Sequence, residues 1–190
     1  MESAIHFKKL FNNLAYLEKI SRGLEFEQCT FIGCDFSGGG FSNCKFVDCS
    51  FTACNLSNAD LINCQIKNVM FKDCKLMGIN FSECADFMFS VSFETCLLDY
   101  ASFVRKKMPK TVFSKTSLRS VDFTECDLTK SQFIQADLTD AIFQKSILKE
   151  ANLVSATNFI IDPELNNIRK ARFSVYGLSG LLARYGIIVE

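Results

Sequence analysis

The chain has 190 residues, in which 21 lysines and arginines balance 21 aspartates and glutamates. A hydrophobic content of 48% is enough for one folded domain and excludes a disordered chain, while zero net charge argues against a general nucleic-acid binder. The single histidine excludes most histidine-based catalytic and metal sites. No apolar run is long enough for a membrane span, and residues 1–23 lack a signal-peptide pattern, so we predict a cytoplasmic protein with no membrane contact.

Residues 1–23 precede the regular part of the chain and are predicted to form an N-terminal cap. Phe11 and Tyr16 share the five-residue phase of Phe26, which favours an irregular, coil-like segment. The spacing of the apolar residues in this segment also suits one face of an amphipathic helix. We favour the coil-like interpretation and leave the helix as the alternative.

A five-residue repeat governs residues 24–157. Every fifth residue from Phe26 to Phe81 is large and apolar, and after a slip of two residues the pattern continues from Phe93 to Leu153. The residue two before each of these positions is mostly small, and all 10 cysteines occupy such positions when Cys84 is counted as the next one in register before the slip. A period of five fits neither an α-helix nor a flat strand. It predicts a coil whose narrow interior is filled by one large and one small residue per pentapeptide.

This repeat resembles that of the pentapeptide-repeat family. The family pattern is a small residue, Asp or Asn, Leu or Phe, and two polar residues, and it is matched by residues 136–140 and 59–61. The resemblance covers residues 24–157. It implies an all-β fold, a right-handed quadrilateral β-helix (a pentapeptide-repeat solenoid) with about 20 residues per coil and a short C-terminal helical cap.

The cysteines are interpreted as interior residues of this solenoid. Stacking of such coils predicts three ladders, namely Cys29/Cys49, Cys34/Cys54/Cys74 and Cys44/Cys64/Cys84. Sequence gaps in multiples of five do not match the paired ligands of a zinc site, and a coil spacing of about 4.8 Å exceeds the usual Cβ separation of a disulfide. Buried thiols that act as small hydrophobic residues are therefore favoured over disulfides or a metal, and no cofactor is predicted.

Two interruptions of the repeat are candidates for function. The slip at residues 84–92 includes Phe87, Met88 and Phe89, which either cover the core or form an exposed contact patch. Further along, Lys106 occupies a position that is otherwise small and inward. Because an unpaired buried lysine is costly, we expect Lys106 to turn outward. The basic residues here form either a solvated corner or a contact for a partner or phosphate: Arg105, Lys106, Lys107 and Lys110.

Residues 158–190 leave the repeat and are predicted to form a C-terminal helical cap. Asp162 and Pro163 have the pattern of a helix start, and a second helix is expected to end at Gly186, followed by a short strand at 187–189. Since an open solenoid end must be covered, we expect this segment to cap the rod and to join two chains as a homodimer. The candidate interface residues are Leu178, Leu181, Leu182, Tyr185 and Ile187.

The charges are unevenly distributed along the chain. Residues 23–103 and 122–164 are rich in acids, whereas residues 104–121 contain six bases and no acid. The zero net charge is therefore a cancellation between an acidic rod and a basic block.

Within the family, the sequence looks most like the bacterial quinolone-resistance branch, in residues 31–38 and 181–189. That resemblance implies a dimeric rod that mimics DNA, engages the type II topoisomerases DNA gyrase or topoisomerase IV, and protects them from quinolones without binding nucleic acid itself. Surface carboxylates then stand in for phosphates, with candidates Asp35, Asp48, Asp60, Asp73, Asp122, Asp127 and Asp137. The alternative is an interaction scaffold with an unrelated protein partner. No nucleotide-binding loop or catalytic motif is present, so we predict that the protein is not an enzyme.

Overall fold

The computed structural model describes residues 5–15 and 20–187. These residues wind into a right-handed, four-sided β-helix of short parallel strands. The strands are β1 Ile5–Phe7, β2 Leu10–Asn12, β3 Ile20–Arg22, β4 Glu25–Glu27, β5 Thr30–Ile32, β6 Gly40–Ser42, β7 Lys45–Val47, β8 Ser50–Thr52, β9 Gln65–Lys67, β10 Val69–Lys72, β11 Val91–Glu94, β12 Val112–Ser114, β13 Gln132–Ile134, β14 Asn152–Leu153 and β15 Arg172–Phe173. The helical segments are the 3-10 turns Phe81–Glu83, Val175–Gly177 and Ala183–Tyr185 and the short α-helix α1, Ser179–Leu182.

The rod has four sides, which we number in chain order. Side 1 contains β1, β4, β7 and β9 and continues through the row 107, 127, 147 and 167. Side 2 is a nine-stranded parallel sheet that ends with β15. Side 3 follows the bridged row 15, 35, 55, 75, 97, 117, 137 and 157, and side 4 contains β3, β6 and the row 80, 102, 122 and 142. Each pentapeptide therefore supplies one side and one corner.

Corner residues adopt the left-handed backbone conformation that lets the chain turn after every side. Most corner residues are not glycine, and Asn, Asp and Lys are common among them, for example Asn58 at φ 55° and Asp48 at φ 52°. Asn and Asp tolerate this conformation better than most side chains do. Gly33 occupies a corner at φ 61°, where an added Cβ would also overlap the Asn13 side chain of the neighbouring coil.

The interior is a set of stacked rings, as the periodicity predicts. On side 2, Phe113 is fully buried between Phe93 and Phe133, with ring centroids 5.4 and 5.1 Å away and nearly parallel planes. Edge-to-face contacts join it to Phe103 and Phe123 on side 4. Each such ring contributes about 1.5–3 kcal/mol through burial alone.

All 10 cysteines are buried free thiols. The predicted stacking of Cys54 on Cys74 is confirmed by the main-chain N–H of Cys54, which donates to Cys74 Sγ at 3.4 Å. The thiols donate in turn to carbonyl groups of the neighbouring coil, as Cys126 does to Phe103 O at 2.7 Å. Burial raises the pKa of Cys126 to about 12, so this thiol stays neutral and unreactive.

The two-residue slip in the repeat is confirmed. Elsewhere on side 2, paired residues are 20 apart, as in Phe31 and Phe51, whereas β10 pairs with β11 so that Phe71 lies opposite Phe93. The two extra residues form a bulge on side 1, after the 3-10 turn at residues 81–83. The phenylalanine ladder therefore continues through the interruption without a gap.

The parallel ladder extends beyond residues 24–157 in both directions. At the start, β1 and β2 pair with β4 and β5, so the described residues of the N-terminal segment are strand rather than helix; Tyr16 lies outside the described residues. At the end, β14 pairs with β15. The apolar residues at the inward positions of these coils, such as Ile161, hold them in the stack.

The helix predicted to begin at Asp162 is wrong. Residues 163–165 form a turn, in which the Glu164 N–H donates to Asp162 Oδ1 at 2.9 Å, and the coil then resumes with Asn167 bridged to Ile147. The capping hydrogen bond that the sequence suggests is thus made within a turn, because packing of the last coil overrides the local signal.

The C-terminal cap follows β15 and closes the end of the rod. It contains α1 between two 3-10 turns and ends at Gly186, whose φ of 60° agrees with the predicted stop. Gly180 lies against the Phe159 backbone, where an added Cβ would overlap, and its carbonyl accepts from Ile161 N at 3.0 Å. Of the predicted strand at 187–189, only Ile187 lies among the described residues. No helix in the described parts of the chain is long and apolar enough to cross a membrane.

Candidate protein-interaction surface

The seven aspartates predicted to imitate phosphates are spread over all four sides. Asp35 and Asp137 lie in the side 3 row, and Asp127 in the side 1 row. Asp48 and Asp73 are corner residues, after sides 1 and 2 respectively. The remaining two, Asp60 and Asp122, occupy equivalent positions at the start of side 4. No single surface therefore presents the whole set.

A smaller set of acids does converge along one edge of the rod. This acidic edge lies between sides 3 and 4 and is formed by Asp60, Asp99, Asp122 and Asp140. Two of these, Asp99 and Asp140, were absent from the predicted set. They are found only by counting the position of each residue within its coil, since acids far apart in sequence then fall on one edge.

Tyr100 projects from the acidic edge and was also missed. Its side chain is 68% exposed although its backbone has φ 64°, a conformation unfavourable for a bulky residue. The fold imposes this conformation at every corner, so the exposure of the ring is what distinguishes Tyr100, and tyrosines are enriched at binding hot spots. The sequence signal is a tyrosine at a corner where, apart from Met88, the repeat uses small, polar or charged residues.

Asp137, on side 3 beside this edge, is held as a carboxylate by its neighbours. Burial opposes its ionisation, but hydrogen bonds from Thr139, Asn158 and Arg119 outweigh that effect and lower the pKa of Asp137 well below its usual range. The Arg119 guanidinium lies 2.7 Å from Asp137 Oδ2. Arg119 is therefore engaged by Asp137, although it is close to the acidic edge.

The four predicted basic residues are also separated by the fold. Arg105 is a corner residue paired with Glu125 at 3.1 Å, Lys107 belongs to the side 1 row, and Lys110 is an exposed corner residue between sides 1 and 2. Arg105, Lys107 and Lys110 therefore span side 1 and its two corners within one coil, whereas Lys106 between them is buried.

The prediction that Lys106 turns outward is wrong. Its side chain is buried, and Nζ donates to Cys84 O at 2.5 Å and to Asp86 Oδ1 at 2.6 Å. The ammonium group also lies 5.3 Å from the centre of the Phe89 ring. The bulge of the preceding coil provides both the space and the acceptors, so the lysine is buried but not unpaired.

The two interruptions of the repeat thus form one structural unit. Lys106 in one coil reaches into the bulge of the previous coil, and Phe89 closes the bulge from the inside. Phe87 and Met88 point outward and are 69% and 51% exposed. Phe89 therefore covers the core, whereas Phe87 and Met88 form an exposed apolar pair, for which a role as a contact patch stays a prediction.

The predicted dimer residues lie on the cap, with unequal exposure. Leu181 packs against the core, and Leu182 is half-buried. Leu178, Tyr185 and Ile187 are exposed, and the Tyr185 hydroxyl donates to Glu164 at 2.8 Å. The most exposed apolar residues of the cap, Val175 and Tyr176, were not among the predicted set.

The described residues do not bring together a set of metal ligands. Among residues 5–15 and 20–187, no three His, Cys, Asp or Glu side chains come together as metal ligands would. What the surface offers is a rigid rod with charged edges and a partly apolar cap.

Comparison with known proteins identifies the five-residue repeat as that of a known family. The family model for the pentapeptide repeat region matches residues 24–103 and 87–153. No curated protein matches the chain. Among solved structures, a trypsin-treated variant of QnrB1, a plasmid-mediated fluoroquinolone resistance protein, is 20% identical, with 99% of this chain and 98% of that chain covered and a TM-score of 0.55.

Two further structures show how far the likeness extends. Full-length QnrB1 is 21% identical over 94% of this chain and 100% of that chain, with a TM-score of 0.51. HetL, a pentapeptide repeat protein of the cyanobacterium Nostoc involved in regulating heterocyst differentiation, is 14% identical over 90% of both chains, with a TM-score of 0.36. At these identities the likeness concerns the fold alone. With the family model matching more than half of the chain and the four-sided solenoid it implies, the protein belongs to the pentapeptide repeat family.

Proposed function

We propose that the protein acts without catalysis, by binding a protein partner along its acidic edge. The observation that carries this proposal is the alignment of Asp60, Asp99, Asp122 and Asp140 beside the exposed Tyr100. A rigid parallel stack loses little conformational entropy on binding. The carboxylates of the acidic edge favour a partner with a complementary basic groove. Packed apolar side chains fill the interior of the rod. This supports a function that is performed by the surface and without catalysis.

We further propose that the partner is a type II topoisomerase, DNA gyrase or topoisomerase IV, in the cytoplasm. The support is the fold-level likeness to QnrB1, which is described as a fluoroquinolone resistance protein, together with carboxylates presented on four coils of a rod, three of them successive. In this proposal the acidic edge occupies the enzyme's DNA-binding groove and its carboxylates take the place of phosphates.

A gyrase supercoiling assay tests this proposal. Purified protein titrated into gyrase with an inhibitory quinolone is expected to restore supercoiling at micromolar protein. Asp60→Lys/Asp122→Lys is expected to lose at least about tenfold in potency, since two attractions become repulsions at the contact. The matched control is Asp48→Lys/Asp73→Lys, which makes the same charge change on other edges and is expected to retain activity.

Two outcomes would contradict the proposal. If micromolar protein produces no rescue and no inhibition of gyrase, the topoisomerase is excluded as the partner. An equal loss of potency in both variants would exclude the acidic edge as the contact. Circular dichroism of each variant separates loss of binding from loss of folding.

An interaction scaffold with an unrelated partner is the second candidate. It is favoured by the exposed pair Phe87 and Met88, which lies on the side 1 bulge rather than on the acidic edge. A binding experiment from cell extract that recovered only a topoisomerase would refute this candidate.

We also propose that two chains form a homodimer through the C-terminal cap. The exposed residues Val175, Tyr176 and Leu178 form an apolar end surface that a two-fold contact would bury. Sedimentation velocity is expected to give twice the mass of one chain, and Leu178→Asp is expected to give the single-chain mass. Phe87→Asp, with the same change on the bulge, is the control. A wild-type protein that sediments as a single chain at high micromolar concentration would overturn this proposal.

A further inference from the structure

The edge diagonally opposite the acidic edge is strongly basic in its C-terminal half. It lies between sides 1 and 2, where the corners contain Lys110, Lys130 and Lys170 in successive or near-successive coils. The flanking rows add further cations. The complete basic edge is Lys110, Lys130, Lys149, Arg169, Lys170 and Arg172, all of them exposed.

One acid lies within this basic edge. Glu150 occupies a corner and is 3.5 Å from Lys130 and 3.9 Å from Lys149. The other four cations, Lys110, Arg169, Lys170 and Arg172, have no ion pair within the described residues. Excess positive charge therefore faces solvent along about four coils.

The acidic edge does not cancel this field. A three-residue side is about 10 Å long, so edges across the diagonal lie on the order of 15 Å apart even before their side chains extend outward. That separation is about twice the Debye length of ~8 Å at physiological ionic strength. A ligand at the basic edge therefore experiences a cationic surface, although the molecule has zero net charge.

We propose that the basic edge binds the phosphodiester backbone of duplex DNA without sequence preference. Rows of cations repeat along the rod at the spacing of parallel strands, about 4.8 Å, and present a linear array to a linear polyanion. The residues of this edge include no aromatic side chain on which an unpaired base could stack, so a duplex, with its higher charge density, is the favoured form.

This inference departs from the expectation that zero net charge excludes contact with nucleic acid. It is independent of the proposed topoisomerase partner, because it uses the opposite edge of the rod and is measured with DNA alone. The acidic edge repels the same ligand and so defines which face of the rod the DNA contacts.

Fluorescence anisotropy with a labelled mixed-sequence duplex of about 20 base pairs tests the inference. Binding of the full chain is expected at about 50 mM salt, with the logarithm of the binding constant falling with slope about −4 against log salt, as for contacts to four or five phosphates. Lys110→Glu/Lys130→Glu/Lys170→Glu is expected to bind at least about tenfold more weakly and with a slope near −1. The control Lys75→Glu/Lys115→Glu/Lys145→Glu changes the net charge equally, away from this edge.

Three results would overturn the inference. These are no duplex binding at about 100 μM protein, equal losses in the edge and control variants, or edge-dependent binding to phosphatidylserine vesicles without binding to the duplex. If sedimentation shows salt-sensitive self-association and no duplex is bound, the ligand of the basic edge would instead be the acidic edge of a second copy of the chain. A circular dichroism spectrum like that of the wild type shows that each variant is folded.

Discussion

Phe113→Ala is expected to lower the free energy of unfolding by about 3–5 kcal/mol. Phe113 is fully buried between the rings of Phe93 and Phe133 and has edge contacts to Phe103 and Phe123. Truncation removes the transfer free energy of the ring and leaves a cavity that the stacked backbones on both sides prevent from collapsing. Because each coil contacts only its neighbours, the loss weakens the interfaces on both sides of this coil at once.

Chemical denaturation followed by circular dichroism measures this effect. The control is Phe87→Ala, which removes the same ring from a side chain that is 69% exposed and is expected to change stability by less than about 0.5 kcal/mol. Similar losses in the two variants would show that the interior is not the main source of stability.

The second large effect is expected at the buried lysine. Asp86→Ala is expected to cost about 1–3 kcal/mol, because it leaves the Lys106 ammonium inside the bulge with Cys84 O as its remaining hydrogen-bond partner. The loss is expected to be smaller than for a fully buried ion pair, since the Asp86 side chain is 85% exposed.

A compensating substitution separates charge from packing. Adding Lys106→Met to Asp86→Ala is expected to recover most of the lost stability, since methionine fills a similar volume without a charge. Asp73→Asn, which removes an exposed carboxylate and keeps a residue that tolerates the corner conformation, is the control and is expected to be neutral. A double variant less stable than Asp86→Ala alone would show that the hydrogen bond from Lys106 to Cys84 O, rather than the charge pair, holds the bulge.

The bulge shows why a one-dimensional pattern misjudged Lys106. Lys106 occupies a position that is small and inward in the other pentapeptides. A lysine there would clash and leave its charge unpaired, so its side chain was expected to point outward. The slip that lengthens the preceding coil places Asp86 and Cys84 directly against the same position. The contact joins residues about one coil apart. The buried position of Lys106 is therefore explained only when it is considered together with the slip at residues 84–92.

The acidic candidates show the same limit. Asp60 and Asp122 share an edge with Asp99 and Asp140, whereas Asp48 and Asp73 point elsewhere. Counting acids by segment along the chain identified an acidic rod with a basic block. The fold redistributes those charges around the rod instead, because successive pentapeptides face successive sides.

The amino-acid sequence by itself determined the solenoid, its interior ladders and the place of the slip. A five-residue period predicts a coil filled by one large and one small residue per pentapeptide, and the resemblance of the repeat to the pentapeptide-repeat family implied the four sides and the 20-residue spacing of the ladders. Only the tertiary structure decided the position of Lys106, the coil that replaces the predicted helix start at Asp162, and the separation of acidic and basic edges. Those features depend on which residues the stacking brings together across a coil, and their hydrogen bonds and charges act through space rather than along the chain.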